Sequence, residues 1–149
     1  MENVKLSESL GVLATINPSS QAAGAAASGW ISMANAERLL ALIMVGTFGA
    51  AATVDASIQQ AQDATGTGAK AIGSGKAITT LQAAGGNNVQ ATIDLRAEEL
   101  DSTNGFDYVQ LTVTVGTAAT ETAAVLIAGE TRYEPASVLN AASVVQQVG

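Results

Sequence analysis

From about residue 30 onward, apolar and polar residues alternate with a period of two. Ala52, Val54, Ala56 and Ile58 face one way, and Thr53, Asp55, Ser57 and Gln59 the other. That is the pattern of a half-buried strand. Val89, Ala91, Ile93 and Leu95 alternate with Gln90, Thr92 and Asp94, and Val109, Leu111, Val113 and Val115 with Tyr108, Gln110, Thr112 and Thr114. Shorter strands are predicted over 30–33, 78–81 and 121–127. Residues 38–47 form a nearly continuous apolar run that closes on Val45-Gly46-Thr47-Phe48-Gly49, an ending of strand and turn. The run therefore predicts a strand buried on both faces. Turn signals fall at 83–88, 102–105, 116–117 and 129–130, and the Gly-, Ala- and Thr-rich stretch 63–75 reads as a loop. Residues 96–101 fit either one helical turn or a strand end, and 137–148 are apolar enough to dock but open in type. About seven to nine short strands with no long helix predict an all-β chain, an antiparallel β-sandwich or barrel.

The first 28 residues read differently. Leu6, Leu10, Val12, Leu13 and Ile16 are apolar without a sustained period, Pro18-Ser19-Ser20 breaks the chain, and 21–29 are Ala, Gly and Ser with one Gln. The expectation is an extended N-terminal arm, 1–28, before a single β-sandwich domain, 29–149. The arm is either disordered or ordered on a neighbouring subunit. In the second case its deletion weakens partner binding and leaves the fold intact. The start Met1-Glu2-Asn3-Val4-Lys5 is acidic and mixed, unlike the basic start of a signal peptide. The strongest apolar run, 39–45, is far short of the ~20 residues a membrane helix needs, so no membrane partner is expected.

Composition removes much chemistry. With no His and no Cys, the chain cannot build zinc, haem, iron–sulfur or blue-copper sites, disulfides, cysteine nucleophiles or histidine-based triads. Thirteen acidic against six basic residues give a net charge of −7, the wrong sign for binding duplex DNA. Aromatics are 3% and charged residues 13%, while Ala fills 30 positions, Gly 15 and Thr 15. The core must then be Val, Ile, Leu and Ala. The outside must be largely uncharged and cheap to desolvate, which suits a protein covered by other proteins.

The candidate motifs weaken on inspection. In the run from Gly66 to Lys76, the phosphate-loop pattern needs Gly at 70 and a hydroxyl residue at 77, where Lys70 and Ala77 stand. The carboxylates Asp94, Glu98, Glu99 and Asp101 read as solvated surface, and the neighbours Glu98 and Glu99 point apart in any regular structure. A calcium site from Asp101, Asn104 and Asp107 lacks the loop pattern such sites use. Arg96 and Arg132 sit beside acidic residues and suit pairing within or between subunits. Trp30 and Tyr133 flank the β region, as interface anchors or as core. No catalytic residue, metal ligand or cofactor is expected. A carboxylate-based hydrolase is the enzymatic alternative.

Leu42-Ile43-Met44-Val45-Gly46-Thr47-Phe48-Gly49-Ala50-Ala51-Ala52-Thr53-Val54-Asp55-Ala56, Arg96-Ala97-Glu98-Glu99-Leu100-Asp101 and Phe106-Asp107-Tyr108-Val109-Gln110-Leu111-Thr112-Val113-Thr114-Val115-Gly116 carry a resemblance. Over about residues 38–133 the chain resembles the cement, or decoration, proteins of tailed-bacteriophage capsids, such as that of a Bordetella podophage. The shared motifs are strand patterns, not chemical signatures. The resemblance implies a jelly-roll sandwich on the outer surface of an icosahedral capsid. There it would clamp neighbouring major capsid protein subunits, as a homo-oligomer with a dimer favoured and with no catalytic residue. Leu6, Leu10, Trp30, Arg132 and Tyr133 are the candidate interface residues. The alternative is a carbohydrate- or receptor-binding module of a phage tail or fibre, which would want an aromatic platform that five scattered aromatics do not supply.

Overall fold

The computed structural model describes residues 3–148. Met1, Glu2 and Gly149, the outermost residues of the expected arm and domain, lie outside them. A single helical turn, α1 (Leu6–Ser9), leads into β1 (Leu10–Gln21). There follow β2 (Gly24–Ala27), β3 (Ile31–Ser32), β4 (Ala36–Val45), β5 (Thr53–Ala61), β6 (Lys70–Ala77), β7 (Leu81–Gln82), β8 (Val89–Arg96), β9 (Tyr108–Gly116) and β10 (Thr120–Thr131). One sheet has the order β1-β10-β4-β8, and the other β2-β9-β5-β6, with β3 beside β9 and β7 beside β5. Every pairing is antiparallel. Counted as interrupted strands, β2 with β3 and β6 with β7 leave eight strand positions. The pairs β1·β10, β2·β9, β4·β8 and β5·β6 nest within one another, and the chain changes sheet at every connection except that from β5 to β6. This is the jelly-roll form of the antiparallel sandwich.

The inward faces follow the alternation. Leu39, Ala41, Ile43 and Val45 of β4, with Ile93, Leu95, Ala124, Leu126 and Ala128, meet Val54, Ala56, Ile58, Val109, Leu111, Val113 and Val115 of the opposite sheet in one buried cluster. Val, Ile, Leu and Ala fill it almost alone, as the scarcity of aromatics requires.

Three segments depart from expectation. Residues 10–27, assigned to an arm, are strands of the sandwich. β1 runs along β10 from Leu10↔Gly129 to Gln21↔Thr120, burying Ala14 and Ile16, and β2 runs along β9. Register shifts between Val12 and Ala14 and between Ile16 and Ser19 break the alternation, which hides the strand from a period-two reading. Of the expected arm, residues 3–9 precede the sheets. Deleting 1–28 would remove two strands, so the fold would not survive it intact. Within the expected loop 63–75, β6 begins at Lys70 despite positive φ at Gly73 (57°) and Gly75 (114°), and it pairs with β5 across a further register shift. The expected strand over 78–81 is instead β7. Beyond β10, residues 136–139 form a 3-10 turn, and the tail then seals the edge of β1. Gly11 lies so close beneath Ala136 that a Cβ would meet its carbonyl oxygen at 2.6 Å. The Val12 N–H donates to Asn140 Oδ1 at 2.8 Å, and the Ala141 N–H to the Val12 carbonyl at 2.7 Å.

Loops 33–35, 62–69 and 97–107 gather at one end of the sandwich, with the start of β1 and the close of β10. The shorter turns 22–23, 46–52, 83–88 and 117–119 occupy the other. The long-loop end is pinned. Gln60, 3% exposed, donates from Nε2 to the Ala71 carbonyl at 3.0 Å and accepts the Asp101 N–H at 2.8 Å. Lys70 pairs with Asp101 at 2.6 Å and lies 3.8 Å from the centre of the Phe106 ring. Lys76 reaches from β6 to β8, pairing with Glu99 at 2.6 Å and donating to the Asp94 carbonyl at 3.1 Å.

Two outcomes follow from these contacts. Removing residues 1–5 is expected to shift the melting temperature by less than about 3 °C, while removing 1–27 abolishes the cooperative transition, since it strips β10 of an edge partner and β9 of its neighbour; thermal melts followed by circular dichroism check both. Gln60→Ala removes both hydrogen bonds of this buried side chain, and urea titration should show a loss of about 2 kcal/mol.

Candidate functional site

β4 carries apolar residues on both faces, and only one face is covered. Its inward residues are buried, while on the outside Leu40 is 37% exposed and Met44 47%. Leu42 between them is half-buried. The register builds a block around these three. Leu40 lies between Ile127 of β10 and Asp94 of β8, Leu42 between Val125 and Thr92, and Met44 between Ala123 and Gln90. Val12 of β1 continues the first row beyond Ile127. The two central strands thus expose a contiguous apolar surface, with Gln90, Thr92 and Asp94 along one margin. The expectation of a strand buried on both faces is corrected here. A two-layer sandwich supplies cover on one side only, whereas continuous apolar runs belong to strands covered on both.

The outer face of the other sheet is opposite in character. It presents Thr53, Asp55, Ser57 and Gln59 from β5 beside Gln110, Thr112 and Thr114 from β9. Hydroxyls and amides can keep their hydrogen bonds to water there. A contiguous apolar patch with a polar rim is the usual mark of an interaction site, and the sandwich has one such face.

The apolar face continues into a groove of about 300 Å³ between α1, β1, β10 and the C-terminal tail. Leu6, Leu10, Val12, Ile127 and Val144 line it. Two of the sequence-derived interface residues, Leu6 and Leu10, are therefore brought together. The other three stand apart at the long-loop end. The half-buried Trp30 lies over Gly66 (φ 87°), where a Cβ would meet the indole Nε1 at 2.5 Å. Arg132 donates its backbone N–H to the Asn35 carbonyl at 2.9 Å, and among the described residues its side chain has no carboxylate within 4.0 Å. Tyr133 is 61% exposed. Of the five, only Leu10 shares the outward face, one row beyond Val12 and opposite Gly129. Leu40, Leu42, Met44, Val125 and Ile127 were passed over as core, although the unbroken run 38–47 already marked a strand with too much apolar surface for a thin sandwich.

The carboxylates are engaged structurally. Lys76, then the Arg96 N–H, holds the Glu99 carboxyl below the ordinary range. Lys70, then the Asn104 amide, does the same for Asp101. The hydroxyls and N–H groups of Thr67 and Thr65 hold Asp63 well below it. A general acid needs the opposite shift. Asn104 Nδ2 donates to both Asp101 oxygens at 2.8 and 3.0 Å, and Arg96 pairs with Glu98 at 3.2 Å. Among the described residues no cluster of three or more acidic side chains is placed to hold a metal ion. The Gly66 to Lys76 run divides between a loop and β6, so it does not open a helix whose N-terminus could cradle phosphate. Phe48 and Phe106 are buried, Trp30 and Tyr108 half-buried and Tyr133 exposed.

No protein-family model matches the chain, and no curated protein sequence is significantly similar to it. Among solved structures, the chain is similar to a protein of the Triatoma virus structure at 6% identity and a TM-score of 0.48, covering 89% of this chain and 68% of that one. It is similar to a protein of the cowpea mosaic virus empty virus-like particle at 9% identity and a TM-score of 0.44, covering 90% and 87%. A protein of the disulfide-linked Bacillus endospore appendages is a further neighbour, at 18% identity and a TM-score of 0.31, covering 87% and 94%. With every score below 0.5, none of these likenesses assigns a role to this chain.

Proposed function

We propose that this chain is a structural virion protein that binds the outer surface of a tailed-phage capsid and bridges major capsid protein subunits. The observation that carries the proposal is the uncovered apolar face centred on Leu40, Leu42 and Met44. Leaving such a face in water is costly, and docking it removes that cost at ~25 cal/mol per Å². The hydroxyl- and amide-rich face on the other sheet then turns to solvent. The net charge of −7 disfavours the DNA-filled interior and suits the outside. The low charge of the whole surface keeps desolvation cheap wherever capsid subunits press against it.

The mechanism is mass action. A protein that binds the closed shell and not its separated subunits stabilises the shell. Each contact needs only about 800 Å² per partner, because many copies, each bridging two subunits, add their modest affinities into resistance to internal DNA pressure. Residues 3–5, exposed ahead of α1, can add reach.

The purified chain mixed with undecorated capsids is expected to bind saturably and in fixed stoichiometry in a sedimentation assay. Leu40→Asp combined with Met44→Asp should weaken that binding by about 100-fold or more. Gln59→Asp, an added charge on the opposite face, should leave it within about twofold. Equal binding by all three proteins, or no saturable binding by the parent, overturns the reading.

A further inference from the structure

We infer that a notch at the end of the apolar face nearer the shorter turns receives a lysine or arginine side chain of the docked capsid subunit. The source of that side chain rests on the capsid reading, and its chemistry on the notch alone. The outward residues of β10 shrink along the strand, from Ile127 and Val125 to Ala123, and then reach Glu121. Opposite Ala123, the register shift in β1 sets two residues, Asn17 and Pro18, against one. The result is a hollow of about 350 Å³, with Pro18, Ser19, Ser20, Gly46, Glu121 and Ala123 among its walls. Met44 lies beside Ala123 in the sheet, so the apolar face runs into the hollow without a break.

One carboxylate is fixed there. Glu121 Oε2 accepts the Thr47 N–H at 3.0 Å. The backbone of Glu121 holds the same turn, its N–H donating to the Thr47 carbonyl at 3.1 Å and its carbonyl accepting the Gly46 N–H at 2.9 Å. A Cβ at Gly46 would meet Oε2 at 2.7 Å, so the glycine gives the carboxyl room to lie across the turn. Among the described residues no basic group comes within 4.0 Å of it. The chain has none to spare for it. Of its six basic residues, Arg38, Lys70, Lys76 and Arg96 pair with other carboxylates. Lys5 precedes β1 and Arg132 follows β10, both at the far, long-loop end. A single carboxylate offers too few oxygens to hold a calcium or magnesium ion. An ammonium or guanidinium on an aliphatic stem suits both halves of the notch, with the stem along Met44 and Ala123 and the head against Glu121.

Butylammonium chloride, a lysine side chain without its backbone, tests the notch without any capsid. In nitrogen–proton correlation spectra at constant ionic strength, the amides of Ser20, Thr47 and Ala123 should shift saturably, with a Kd of about 10 mM. Butanol, the same stem without the charge, should not reproduce the shifts. Glu121→Gln, whose amide oxygen can still accept the Thr47 N–H, should abolish them. On undecorated capsids, Glu121→Gln should bind about 10-fold more weakly than the parent and lose less affinity as salt rises. Asp55→Asn, on the opposite face, should match the parent. Shifts that fail to saturate, that butanol reproduces or that survive in Glu121→Gln overturn the inference, as does capsid binding indifferent to Glu121→Gln. Self-association that Glu121→Gln abolishes overturns it too, because the cation would then be the chain's own. A parent that binds butylammonium through Glu121 but binds no capsid overturns the capsid reading and not the notch.

Discussion

Residues 36–45 carry apolar side chains on both sides of one strand, and a two-layer sandwich can cover only one of them. Much of the molecule arranges itself around that constraint. The inward side, Leu39, Ala41, Ile43 and Val45, is the middle of the core and is fully satisfied. The outward side lies within its sheet, flanked by β10 and β8, and among the described residues no element crosses over it. Nesting of the hairpins puts β4 in this central position. Had the same residues formed an edge strand, the tail or a loop could have folded over them.

The two outer faces of the sandwich then divide its labour. One, built from β5 and β9, is a lawn of hydroxyls and amides content in water. The other, built from β4 and β10, gains from contact. The polar chemistry is spent on holding the long-loop end in shape. Gln60 links two strands to a loop from below, and Lys70 and Lys76 grip Asp101 and Glu99 from the side. The contacts favour the ionised forms of Glu99 and Asp101.

The fold was legible in the sequence wherever alternation is unbroken. β5, β8 and β9 lie close to where period two puts them, with the inward residues it names. It failed where extra residues interrupt a strand: Leu13 at a shift in β1, and Gly73 and Gly75 within β6. A bulge moves the following side chains to the other face, so a period-two reading dissolves although the backbone stays paired. The site was legible in a different way. The apolar run of β4 was visible, but its excess was credited to burial, because a sequence does not say how many layers a domain will have. Leu6 and Leu10, apolar residues with no apparent core to join, lie together along the groove. Trp30, half-buried, packs over Gly66 within its own chain.

Lys76 has a consequence for how the molecule behaves in a crowd. β8 borders its sheet and leaves a row of backbone groups open, the kind of margin on which stray chains add and fibrils grow. By stretching across from the opposite layer to the Asp94 carbonyl, this one ammonium occupies an acceptor and, with Glu99, places an ion pair at the margin. On the far side, Asn140 and Ala141 cap the backbone of β1 at Val12. Guarded on both flanks, a protein rich in alanine and β-branched residues can be made in many copies and remain a set of discrete particles.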